Sequence, residues 1–197
     1  MDWSEFLGGS AAGALITQIG NVIQEWRKNR INMVQNAQDM AEIHNTLFPM
    51  LLEKTHCNRV MIFRATNTAG VIAPGKILKI SAVYEDTRDM SRIIDDIQEW
   101  RADAAYYQIF SELVTNGVVR KHTEDLQVDS KLRTIYTAQG LLYNEIYHLT
   151  TTPKNDKVFF CSIGSSWVSE FTQGDRYYID IVVNRLQNIF EKHKRVL

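Results

Sequence analysis

The chain has 197 residues, of which 45% are hydrophobic and 23% charged, with a formal net charge of −1. That balance suits one globular domain plus an extension, with apolar residues enough for a full core. Near-neutrality excludes a global field that would gather nucleic acid or an anionic membrane. The two cysteines form no CxxC pair and no disulfide framework, so the expected compartment is a reducing one, the cytoplasm.

The opening MDWSEFLGG has an acidic first turn and no basic n-region, so it does not read as a secretory signal. Gly8 to Ile23 is apolar and rich in small residues, and the basic run RKNR follows at Arg27 to Arg30. This run is shorter than the ~20 apolar residues of a spanning helix and carries Thr17, Gln18 and Asn21. Residues 1–33 therefore read as a Gly-rich helical extension to a domain covering 34–197. Gly9 and Gly13 permit close helix contact. Three settings stay open for residues 1–30: packing on the body or on a protein partner, peripheral contact with a membrane or larger assembly, or a span.

Over 34–54 the apolar residues Val34, Ala37, Met40, Ala41, Leu47, Phe48, Leu51 and Leu52 recur at helical spacing. Pro49 inside that run removes a donor and predicts a kink near Asn45. CNRVMIFRATN and ILKISAVYED predict two antiparallel strands, with GVIAPGK turning between them. A helix is expected over Ser91 to Val114, closed by Asn116-Gly117. VVRKH predicts a short strand, Asp125 to Leu132 a loop, and Ser130 to Gln139 a short helix stopped by Gly140. A hairpin turning near Pro153 to Asp156 follows. The last element is a long helix over Thr172 to His193, opened by a capping box at Thr172 and Asp175. The fold class expected from this order is α+β, a single antiparallel sheet with helices on both faces.

Single residues offer little chemistry. Cys161 sits in an apolar strand without a cationic neighbour to stabilise a thiolate, so it reads as core. His56 and Cys57 are adjacent, and adjacent side chains diverge, which argues against a catalytic pair. His44 reads as a packed histidine or a dimer-seam residue. Asp95, Glu99 and Asp103 share one face of the expected helix and read as solvated. The basic runs at Arg27 to Arg30 and Lys192 to Arg195 lack interleaved aromatics, so no nucleic-acid partner is expected.

The element order resembles that of a GAF domain, the small-molecule sensory module related to PAS. The stretch TNGVVRKHTEDLQVDSKLRTIYTAQGLLYNEIYHL is similar to the family's strand, loop, helix and hairpin strand. DKVFFCSIGSSWVSEFTQGD is similar to its second hairpin strand and F-x-x-x-D, here Phe171 and Asp175. The resemblance covers roughly 34–193. The cyclic-nucleotide-binding members carry an Asn and Lys after that strand, where this chain has Ser165-Ser166. Bilin-attaching members use a cysteine in the middle helical region, and none lies there.

The resemblance implies a pocket between sheet and middle helices. The ligand-binding candidates are Arg64, Tyr84, Trp100, Tyr107, His122, Tyr143 and Glu145, with Tyr106, Phe110 and Tyr136 as further lining residues. No metal, cofactor or catalytic residue is expected. The expected role is a non-enzymatic regulatory module that binds a small ligand and forms a homodimer through helices 34–54 and 172–193. The alternative is a structural or interaction protein with a vestigial pocket, its N-terminal helix docking on a larger assembly or membrane surface.

Overall fold

The computed structural model describes residues 35–67 and 77–194. The extension over 1–33 and the turn GVIAPGK lie outside the described residues. The chain divides into two compact units, Met1–Glu42 and Ile43–Leu197. Of the first, residues 35–42 are helical.

The second unit opens with a π-type turn, Ile43–Leu47, and continues as α1 (Phe48–Lys54). The wide turn follows from Pro49, which has no N–H to offer the Asn45 carbonyl. The disturbance expected near Asn45 thus takes the form of a π-type turn around that residue. Phe48, Leu51 and Leu52 are buried, and α1 ends where the Thr55 hydroxyl donates to the Leu51 carbonyl at 2.7 Å.

Six strands form one antiparallel sheet in the order β3-β2-β1-β6-β5-β4. They are β1 (Arg59–Asn67), β2 (Leu78–Thr87), β3 (Trp100–Arg101), β4 (Val118–His122), β5 (Tyr143–Thr151) and β6 (Lys157–Ser165). Helices cover both faces, as the sequence pattern requires. α4 (Gln173–His193) packs on β5 and on α1, burying Ile179, Val182, Val183, Leu186 and Ile189. The opposite face carries α2 (Ala104–Asn116), α3 (Lys131–Ala138) and the segment joining β2 to α2. Met61, Phe63, Leu78, Ile80, Ile109, Leu113 and Phe160 belong to the core beneath them, with Phe63 and Phe160 stacked at 5.2 Å. Each such side chain fully buried is worth about 1.5–3 kcal/mol.

Strand alternation assigns the faces. In β6, Val158, Phe160 and Ser162 look toward α2 and α3, whereas Phe159 and Cys161 look toward α4. β2 breaks this rule. Ile62 pairs with Tyr84 and Phe63 with Ala82, so Val83 is an extra residue. The bulge resets the phase of β2 and turns Glu85 to the same side as Leu78, Ile80 and Ala82.

The helix expected over Ser91 to Val114 is shorter, and α2 starts at Ala104. Upstream lie a single 3-10 turn, Ile94–Asp96, and the two-residue strand β3. The edge of β2 takes the groups that a helix would use internally. Ala82 N–H donates to the Ile97 carbonyl at 2.8 Å, and Ala102 N–H donates to the Leu78 carbonyl at 2.9 Å. Glu99 has φ 54°, outside the helical region. Asp95, Glu99 and Asp103 therefore do not share a helix face. Asp103 caps α2 instead, accepting from Tyr106 N–H at 2.9 Å, and Glu99 pairs with Lys79.

Candidate ligand cavity

Between the sheet and its α2–α3 cover lies a small, partly open space. β1 supplies Arg59, Met61 and Phe63, and β5 and β6 supply Asn144, Ile146, Phe160 and Ser162. Ile93, Ile97 and Trp100, from the segment before α2, form its roof with Tyr106, Leu132 and Tyr136. Its volume is about 20 Å³, room for about one water molecule.

One edge of this otherwise apolar space is polar. Ser162 Oγ donates to Asn144 Oδ1 at 2.9 Å, and Asn144 Nδ2 donates to the Tyr136 hydroxyl at 2.6 Å. Beside them Arg59 is only 2% exposed. Its Nη2 donates to the Ser91 carbonyl at 2.5 Å and to Gln139 Oε1 at 2.8 Å. Its Nε lies 3.3 Å from Glu85 Oε1, too poorly aligned for a hydrogen bond, so Nε and Nη1 have no hydrogen-bond acceptor among the described residues. The other Glu85 oxygen accepts from the backbone N–H groups of Ile93 at 2.8 Å and Ile94 at 2.7 Å. Burial pulls the Arg59 guanidinium below its ordinary pKa, against the opposing pull of Glu85 and then Tyr136. Burial likewise pushes the Tyr136 and Tyr106 phenols up, so both stay neutral at physiological pH. A buried donor without an acceptor costs about 1–3 kcal/mol, which makes Arg59 the costly residue of the site.

Of the candidates read from the sequence, Trp100 lines the cavity, with Tyr106 and Tyr136 from the wider set. Tyr107 stands at the margin of the same core, where its hydroxyl accepts from Leu78 N–H at 2.8 Å. Tyr84 lies on the opposite face, edge-on to His44 at 4.6 Å and to Phe48 at 6.5 Å. Arg64 alternates with Phe63 and Ala65, and so leaves the cavity side.

Tyr143 and Glu145 also face α4, in a cluster of their own. The buried Glu145 carboxylate accepts from the Tyr143 hydroxyl at 2.9 Å, from the Tyr147 hydroxyl, and from Arg120 Nε at 3.2 Å. Arg176 of α4 reaches it at 3.4 Å. Burial first and Glu145 second push the Tyr143 phenol up to about 12. His122 lies beside Tyr143, ring centroids 5.0 Å apart, on an open groove of about 410 Å³ with Arg133, Thr137 and Ser169.

Sequence reasoning missed Arg59, Asn144 and Ser162. Their only signal is strand alternation, which sets Arg59 in phase with Met61 and Phe63, and Asn144 with Ile146. Cys57 and Cys161 are both fully buried, and burial raises both thiols, Cys57 to about 12. Neither is a thiolate at neutral pH. Among the described residues no cluster of His, Cys, Asp or Glu suits a metal ion, and no helix is long and apolar enough to cross a membrane.

An antiparallel sheet ordered β3-β2-β1-β6-β5-β4, with the terminal helices on one face and a roofed cavity on the other, has counterparts among solved structures. The GAF domain of a two-component sensor histidine kinase from Bacillus halodurans superposes with a TM-score of 0.53 at 16% identity, over 77% of this chain and 92% of that one. The fold is that of a GAF domain. The GAF domain region of a Geobacter sulfurreducens protein gives a TM-score of 0.54 at 11% identity, over 81% of this chain and 97% of that one. A far-red cyanobacteriochrome photoreceptor gives 0.53 at 12% identity, over 86% and 98%. No family model matches the chain, and no curated protein matches it. At these identities the likeness to GAF domains is one of fold alone.

Proposed function

We propose that this chain is a non-enzymatic regulatory module that holds a small ligand between its sheet and the α2–α3 cover. The observation that carries this reading is Arg59, a 2%-exposed guanidinium on the cavity wall whose Nη1 has no acceptor among the described residues. Such a group carries a desolvation cost that an apolar side chain there would avoid. Two of the GAF domains it resembles in fold belong to a sensor kinase and a photoreceptor, which fits a signalling role. The buried free thiols fit residence in the cytoplasm. Self-association through helices 34–54 and 172–193 would transmit the ligand signal, and the exposed Tyr177 and Ile181, one turn apart on α4, fit that use.

A second reading is an interaction protein whose pocket is vestigial. The cavity volume of about 20 Å³ favours it, because the space holds no ligand larger than water unless its roof moves.

Native mass spectrometry of the freshly purified full chain separates the two. The ligand reading expects excess mass of a few hundred daltons that vanishes on denaturation. A bare protein mass, together with cavity methyl resonances that ignore added small aromatic compounds, sinks it in favour of the interaction protein.

A further inference from the structure

Arg59 and Glu85 also restrict what the cavity accepts. Resting on the reading of this space as a ligand site, we infer that its ligand is a small aromatic molecule carrying one uncharged carbonyl oxygen, taken by the Arg59 guanidinium, and not a carboxylate.

Three observations combine. The guanidinium offers Nη1 hydrogens that have no acceptor among the described residues, so an incoming oxygen finds donors already in place. Its charge is already balanced by Glu85 at 3.3 Å. Glu85 is also held, since its other oxygen takes two backbone N–H groups at the start of the Ile94–Asp96 turn. A ligand carboxylate would set a second anion against one cation in a buried space, whereas a carbonyl adds a hydrogen bond without adding charge. Apart from the polar edge of Ser162, Asn144 and Tyr136, whose groups bond one another, the wall is apolar and aromatic, with Phe63, Phe160, Trp100 and Tyr106. Room for such a ring must come from the roof residues Ile93, Ile97 and Trp100. That roof hangs on this same ion pair, through Ser91, Ile93 and Ile94. Occupancy would thereby be felt along the segment between β2 and α2.

The test titrates the full chain with acetophenone, benzoate and ethylbenzene, three rings of similar size bearing a neutral acceptor, an anion and no acceptor. Binding is followed by the methyl resonances of Ile93, Ile97 and Ile146. Acetophenone is expected to bind about tenfold more tightly than either competitor, the yield of one well-made hydrogen bond. In Glu85→Gln the unbalanced guanidinium should reverse the order and favour benzoate. Equal binding of acetophenone and ethylbenzene, or benzoate binding tightest to the unaltered chain, overturns the inference and leaves the ligand cavity standing. Failure of all three to shift those methyls overturns the cavity reading as well. The comparison on the unaltered chain decides the matter even if the variant does not fold.

Discussion

The carboxylate of Asp175 reaches across 119 residues of sequence to His56, accepting its backbone N–H at 3.0 Å and lying 3.0 Å from its ring Nδ1. The same carboxylate receives the N–H and hydroxyl of Thr172 at 2.8 and 2.7 Å, completing the capping box that starts α4. One side chain thus begins the longest described helix and fastens it to the lead-in of β1. Replacing Asp175 by Asn leaves the Thr172 N-cap in place but removes the charge that the bonds from Thr172 and His56 meet, bonds worth about 1 kcal/mol each. Urea unfolding of Asp175→Asn should therefore show a loss of about 1–3 kcal/mol. His56→Ala, whose ring is mostly exposed, should lose under about 1 kcal/mol.

The same residue sets an acid dependence. Burial opposes ionisation of Asp175, yet the bonds from His56 and then Thr172 outweigh it and leave the carboxyl below its ordinary value. A folded pKa below the unfolded value of ~3.9 means stability that is complete above that pH and is lost as pH falls through the folded pKa. Unfolding free energy should drop between about pH 5 and pH 2, and the drop should be shallower in Asp175→Asn. Parallel acid limbs for the two proteins would rule this out.

Glu145 is the second carboxylate that joins elements, linking β4 through Arg120, its own strand through Tyr143 and Tyr147, and α4 through Arg176. Glu145→Leu leaves the buried Tyr143 and Tyr147 hydroxyls without their acceptor, while half-exposed Arg120 turns to water and Arg176 keeps Glu170 at 2.7 Å, so it should cost about 2–4 kcal/mol in chemical denaturation. Tyr143→Phe removes the hydroxyl that bonds Glu145 and meets Arg176, and should cost about 0.5–1.5 kcal/mol. A leucine variant as stable as its parent would show that the cluster contributes no net stability.

Gly117 closes α2 at φ 77°, and a Cβ built there meets nothing within 4 Å. Any loss in Gly117→Ala is then purely backbone strain, about 1–2 kcal/mol. Gly117→Asn should lose less, because asparagine visits the left-handed region more readily. Thermal unfolding of the pair checks the order.

The thiols of Cys57 and Cys161 should be silent toward Ellman's reagent in the native protein and both should appear in denaturant. A thiol that reacts rapidly under native conditions would reopen the case for cysteine chemistry at this fold.

Much of this was written locally. Thr172 and Asp175 announce a helix start by their spacing, Asn116-Gly117 announces a helix end, and Pro49 announces the disturbance at Ile43–Leu47. The alternation of β5 and β6 yields a hairpin, and the order of elements yields one antiparallel sheet of the GAF kind. Each of these features depends on residues within a turn or a strand of one another. Local backbone preference and side-chain period determine them without help from the rest of the chain.

The site was decided elsewhere. Ser91 to Trp100 has helical spacing, but the open edge of β2 captures its backbone groups, and the helix is lost to the roof of a cavity. The bulge at Val83 is invisible in the sequence, yet it is what turns Glu85 toward Arg59. Without it, a slip of one residue sends that carboxylate to the other face. Tyr143 and Glu145 show the converse, a polar and aromatic pair that looks like a pocket lining and belongs to the α4 face instead. Sequence periodicity tells which side chains share a face. Which face meets which element is set by register and packing between residues far apart in the chain, and only the folded structure contains those.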